Sequence, residues 1–102
     1  MVLLEFSMFP LDQGDSLSPF VALSLDIIDR SGLDYQCHAM GTILEGDFDQ
    51  VMGVVKQCFE RMTQDCGRIE CSLKLDYREG RTGRLEGKVA SVEEKLGRHV
   101  KK

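Results

Sequence analysis

Apolar and polar residues alternate from the start of the chain. Val2, Leu4, Phe6 and Met8 fall on one side, and Leu3, Glu5, Ser7 and Phe9 on the other. That period of two predicts a strand with one apolar and one mixed face, ended by Pro10. Leu11 to Asp15 reads as a polar turn around Gly14. Ser18-Pro19 predicts a helix start, with a capping hydroxyl and a proline in the first turn. Phe20, Leu23 and Ile27 then recur at helical spacing, widened by Val21, Leu25 and Ile28, and Gly32 is the expected left-handed stop. Leu33 to Met40 predicts a second strand and Thr42 to Glu45 a third. They join near Met40-Gly41, where Gly41 offers the backbone freedom of a tight reversal. Asp47 and Gln50 have the spacing of a capping box. The helix they open carries Val51, Val54, Val55, Cys58 and Met62 on its apolar side, runs to about Asp65, and is stopped by Gly67. Arg68 to Tyr77 predicts a fourth strand, with Ile69, Cys71, Leu73 and Leu75 opposite Glu70, Ser72, Lys74 and Asp76. A loop over 78–84, rich in glycine and arginine, precedes a short helix with Val89, Val92 and Leu96 as its stripe and Gly97 as its stop. The basic tail from Arg98 is expected to fray.

The predicted order is strand–helix–strand–strand–helix–strand with a terminal helix. Two helices on one face of a four-stranded antiparallel sheet form an α+β, ferredoxin-like βαββαβ sandwich. At 102 residues the chain is expected to form one domain spanning 1–102. Its open sheet face is expected to present Leu3, Glu5, Ser7, Phe9, Gln36, His38, Met40, Thr42, Leu44, Glu70, Ser72, Lys74 and Asp76. Such a mixture suits an interface between copies, wet or holding a polar or cationic ligand, since unpaired carboxylates are costly to bury.

A net charge of −4 argues against general nucleic-acid binding. The apolar amino terminus lacks a positive leader and is broken by Glu5, and no apolar run reaches the roughly 20 residues of a membrane span. A cytoplasmic protein is expected, with neither nucleic acid nor membrane as partner. The cysteines (Cys37, Cys58, Cys66 and Cys71) form no Cys-x-x-Cys pair and are expected to be reduced, buried thiols; a zinc site using Cys37 and His38 has no supporting spacing.

Chemistry-bearing constellations are sparse. There is no phosphate-binding glycine loop before a helix. His38 stands without an evident nucleophile and reads more readily as a hydrogen-bonded interface residue than as a base. Glu5 and Glu70 could form a carboxylate pair on neighbouring strands, or pair instead with Lys74 or Arg68. The residues alone describe a small oligomeric binding or structural domain.

Four stretches carry a resemblance: Glu5-Phe-Ser-Met-Phe-Pro-Leu11, Ser31-Gly-Leu-Asp-Tyr35, Met40-Gly-Thr-Ile-Leu-Glu-Gly-Asp47 and Leu75-Asp-Tyr-Arg78 with the later Lys88-Val89 and Ser91-Val92. Together they resemble the small thiamine-binding, YkoF-like family along nearly the whole chain. That resemblance implies a ferredoxin-like domain associating through its sheets into a homodimer or homotetramer. It also implies binding of thiamine or its hydroxymethylpyrimidine part without catalysis, in transport, salvage or storage, and without a cofactor. Tyr35, Thr42 and Glu45 match family positions near the hairpin, and Ser7 and Asp76 match on the outer segments. With Glu5 and His38 these are the expected ligand contacts. Each has a purely structural alternative: Tyr35 as a core residue with its hydroxyl tied down, Thr42 as a turn residue, Glu45 as the partner of a helix terminus. Two other functions stay open, a small ferredoxin-like regulatory module and a dimeric enzyme with His38 as its base.

Overall fold

The first strand, β1 (Val2–Pro10), is the centre of the molecule. The computed structural model describes residues 1–80 and 83–101. In it Leu4 is wholly buried, and Val2, Phe6 and Met8 nearly so, on the side the alternation assigns to the core. After β1 come α1 (Ser18–Arg30), β2 (Asp34–His38), β3 (Gly41–Gly46), α2 (Phe48–Thr63), β4 (Ile69–Tyr77) and α3 (Arg84–Leu96). The four strands form one antiparallel sheet in the order β2-β3-β1-β4. This is the ferredoxin-like topology, with α1 and α2 packed together over β1 and β3.

The α2 stripe is as expected: Val51, Val54, Val55, Cys58 and Met62 are all buried. Its start closes as a capping box, the Asp47 N–H donating to Gln50 Oε1 at 3.1 Å. Its end differs from expectation. The helix stops at Thr63, and Gly67 has no left-handed geometry. Instead the Gly67 N–H donates to Asp12 Oδ2 at 2.7 Å, and Gln13 Nε2 donates to the Asp65 carbonyl at 3.1 Å, so the loop after β1 closes this helix end. In α1, Ser18 is already helical and caps nothing; Leu17 holds the cap position. The buried centre of α1 is Ser24 and Ile28 rather than Leu23 and Ile27. Gly32 and Gly97 adopt the left-handed conformation expected of helix stops.

The hairpin holds the largest correction. His38 lies opposite Gly41, so the turn is the dipeptide Ala39-Met40, one residue earlier than expected. A one-residue shift exchanges every side chain of the following strand between faces. Thr42 and Leu44 therefore point into the helix-covered core, while Ile43 and Glu45 lie on the other face, against Glu5 and Leu3 of β1. Gly41 has no positive φ. A Cβ there would meet the Phe6 carbonyl oxygen at 2.7 Å, so the glycine permits close approach to β1 rather than a left-handed turn.

The face opposite α1 and α2 is open at one end only. At the other end α3 sits against β2 and β3. The expected loop over 78–84 includes residues 81 and 82, which lie outside the described residues. The tail, expected to fray, is held as far as Val100: its N–H donates to Glu93 Oε2 at 2.7 Å, and His99 Nδ1 lies 3.2 Å from the same oxygen.

Candidate functional site

The β2–β3 hairpin has a cavity on each side of the sheet, and both are lined by Phe6, Ser7, His38 and Met40. The local cause is the short β3. Its pairing with β1 ends at Phe6 opposite Thr42, while β4 continues alongside β1 to Pro10. The hairpin turn therefore overhangs an incompletely covered stretch of β1.

His38 organises the turn. Its Nδ1 accepts the Met40 N–H at 3.2 Å, and its Nε2 lies 3.2 Å from Glu5 Oε2. An Nδ1 that accepts leaves the proton of a neutral imidazole on Nε2, where it is donated to the Glu5 carboxylate. Glu5 and His38, both partly exposed, thus form a unit on the open face. Ser7, Met40, Ser72, Leu73 and Lys74 join them around a cavity of about 300 Å³. Glu5 sits opposite Lys74, whereas Glu70 is opposite Phe9; the carboxylate pair considered from the sequence does not form.

On the helix side, a cavity of about 260 Å³ lies between α1 and the hairpin. Its walls are mostly apolar, from Phe6, Met8, Phe9, Leu17, Val21, Leu25 and Ile28, with Ser7, Ser24, Cys37, His38 and Thr42 as polar exceptions. Thr42 and Ser24 are only 7% and 8% exposed. Ser24 was missed by reading the apolar stripe alone. The signal was its position among Val21, Leu25 and Ile28, the i, i+3, i+4, i+7 set that faces one way from a helix.

The other expected contacts are engaged elsewhere. Tyr35 Oη donates to Asp29 Oδ1 at 2.9 Å, and this bond, with the charge behind it, raises the phenol above its ordinary range. Glu45, 4% exposed, accepts the Arg84 N–H at 2.7 Å and so anchors the first turn of α3 from a distant strand. Asp76 is hydrogen-bonded to both Lys88 and Arg84, which hold its carboxyl below the usual aspartate value, Lys88 most strongly. Arg84 and Lys88 are partners of Asp76 that sequence reading did not pair.

All four cysteines are free, but only Cys58 and Cys66 are buried; Cys37 and Cys71 are exposed, contrary to expectation. Burial pushes the Cys58 thiol up to about 11, which makes it a poor nucleophile at neutral pH. Among the described residues no three His, Cys, Asp or Glu side chains are grouped to hold a metal ion, and no helix is long and apolar enough to cross a membrane.

Comparison with known proteins places this geometry in a family. A UPF0045 protein of Methanocaldococcus jannaschii is 32% identical over 93 residues, covering 91% of this chain and 93% of its own. One from Mycobacterium bovis is 37% identical over 96 residues, covering 93% and 94%. The crystal structure of the M. jannaschii protein superposes with a TM-score of 0.84, over 91% of this chain and 96% of that one. A Thermotoga maritima structure, provisionally named for thiamine biosynthesis or salvage, superposes with a TM-score of 0.79 at 24% identity, over 89% and 97% of the two chains. The profile of the thiamine-binding protein family matches residues 4–93, nearly the whole of the fold and every residue lining the hairpin cavities. The chain belongs to the thiamine-binding protein family.

Proposed function

We propose that this protein binds thiamine, or its hydroxymethylpyrimidine moiety, without transforming it, and that the site is the pair of cavities at the β2–β3 hairpin. One observation carries the reading: an apolar cavity with buried hydroxyls and an open one with a carboxylate–imidazole pair meet at the same four residues. Thiamine has the same division. Its aminopyrimidine is a neutral aromatic ring with a polar edge, and its thiazolium is a fixed cation that an anion or aromatic face stabilises. Family membership and the Thermotoga maritima protein's provisional name support this choice of ligand. Of the residues singled out from the sequence, Glu5, Ser7, His38 and Thr42 are the contacts in this reading. Tyr35, Glu45 and Asp76 hold the frame around them.

The protein acts as a homodimer or homotetramer in this reading, in cytoplasmic transport, salvage or storage. Support for association comes from β4. Leu73, Leu75 and Tyr77 share the core side of the sheet, yet α1 and α2 sit over β1 and β3, and Tyr77 remains 65% exposed.

Calorimetric titration with thiamine, hydroxymethylpyrimidine and thiamine pyrophosphate tests the proposal. Saturable heat with thiamine, weakened in Glu5→Gln, is expected. No heat with any of the three, from protein shown to be folded, overturns it.

A further inference from the structure

The outer edge of β4 is open. On one side β4 pairs with β1 through nine consecutive residues without a bulge; on the other, no strand pairs with it among the described residues. A free edge offers its unpaired N–H and C=O groups to any second strand. Chains that stay single shorten such an edge, bulge it, place proline in it or cover it. The opposite edge follows that rule: β2 has only five residues, and α3 lies against it. β4 uses none of these devices. Its nine residues contain neither proline nor glycine, and all but the partly buried Ile69 and Asp76 are exposed.

The order of its side chains points to what pairs there. Ile69, Cys71, Leu73 and Leu75 share the side of the core residues of β1, and Glu70, Ser72, Lys74 and Asp76 alternate with them, with Arg68 one step before the strand. Among the described residues the side chains of Arg68, Glu70, Ser72 and Lys74 make no hydrogen bond or ion pair. Read along the chain, this row is cation, anion, hydroxyl, cation, anion. Laid antiparallel against its own copy, it matches itself.

A two-fold axis through an antiparallel pair sets one residue opposite its own copy, so the position of the axis fixes every other pair. With the axis at Ser72, Glu70 faces the partner's Lys74 and Arg68 faces the partner's Asp76, each twice. On the other side Ile69 meets the partner's Leu75, and Cys71 meets the partner's Leu73. Neighbouring positions of the axis bring like charges together, which destabilises a sheet. At Leu73, Glu70 would face the partner's Asp76. At Cys71, Lys74 would face the partner's Arg68, and at Lys74 the ammonium would face itself. An axis at Leu75 avoids repulsion but shortens the shared ladder from residues 69–75 to residues 73–77. Asp76 already binds Arg84 and Lys88, so selection of the register falls mainly on Glu70 and Lys74.

We propose that the partner at this edge is a second copy of the chain, joined β4 to β4 about a two-fold axis at Ser72, so that two four-stranded sheets become one of eight strands. The inference rests on the self-association in the proposed function and specifies its edge, its register and the charges that select it. It differs from a stacking of open sheet faces, in which the backbone of β4 would stay unpaired.

Sedimentation over a concentration series, with charge variants, tests the pairing. Lys74→Glu opposes two carboxylates at both ends of the ladder and is expected to weaken the dimer about tenfold, as is Glu70→Lys. The double variant Glu70→Lys/Lys74→Glu is expected to restore wild-type association, which a folding defect could not do. A cross-link reads the axis directly. Opposed Cα atoms in an antiparallel ladder lie about 4.5–5.5 Å apart, within reach of a disulfide. In a Cys37→Ser/Cys71→Ser background, Ser72→Cys treated with oxidised glutathione should therefore yield a covalent dimer. Lys74→Cys, about 13 Å from its own copy in this register, should not. A dimeric wild type whose single charge variants associate equally well, or whose Ser72→Cys form fails to cross-link, overturns the register and leaves self-association standing. A wild type that is monomeric throughout removes both, and the thiamine titration reads ligand binding separately.

Discussion

Gly41 lacks a side chain because the Phe6 carbonyl oxygen occupies the space one would need. A backbone atom in a central strand cannot step aside, so Gly41→Ala should cost about 1–3 kcal/mol, read as a lowered urea midpoint with unchanged slope. Tyr35→Phe should cost less than that, through loss of the solvent-exposed bond to Asp29, and should leave ligand affinity as in wild type. An affinity loss would return Tyr35 to the binding site. Glu45 is the most instructive residue. Alternation separates it from Thr42, and a turn at Met40-Gly41 would put Thr42 on the open face; the structure instead turns Thr42 to the core and Glu45 to the opposite face. The position of the turn decides which is which, and it depends on how closely Gly41 approaches another strand. That is a tertiary fact, invisible to a pattern of twos.

At the scale of elements, what the sequence made legible was each element's own periodicity and its stop signals: the β1 alternation, the α2 stripe, the left-handed Gly32 and Gly97. What it did not reveal was how elements hold each other. The third helix buries none of its residues fully and is attached by charge. Glu45 takes its first N–H, and Asp76 binds Arg84 and Lys88. Glu45→Ala should loosen α3 by about 0.5–2 kcal/mol, as loss of a helix cap does, seen as faster amide exchange at Gly87. Acid should act on the same attachment. The folded protein holds Asp76 below the ordinary 3.8, so the unfolded chain takes up that proton first. The stabilisation is therefore complete above the ordinary value and disappears as pH falls through the depressed one. A pH titration of the α3 amides should show faster exchange in that acid window, and Asp76→Asn should show it already at neutral pH.

For the whole molecule, the ferredoxin-like arrangement followed from element order, yet the exposure of β4 did not. Its apolar residues have the alternation of a buried strand. Only the placement of α1 and α2 over β1 and β3 leaves them uncovered. If copies of the chain meet there, Leu75→Lys should shift sedimentation toward the monomer while leaving the thermal transition of the isolated fold nearly in place. Equal sedimentation of variant and wild type would place the contact elsewhere.

The early end of β3 has a consequence for how occupancy can be detected. Beyond Phe6, the backbone of β1 has a ladder partner on the β4 side alone. Amides there that point toward the hairpin lack the shelter a third strand would give, although they lie in the middle of the sheet. A molecule seated at the turn supplies that shelter. Deuterium uptake at the hairpin-facing amides of residues 7–9 should therefore slow in proportion to occupancy, making the protein its own unlabelled gauge of whatever it carries.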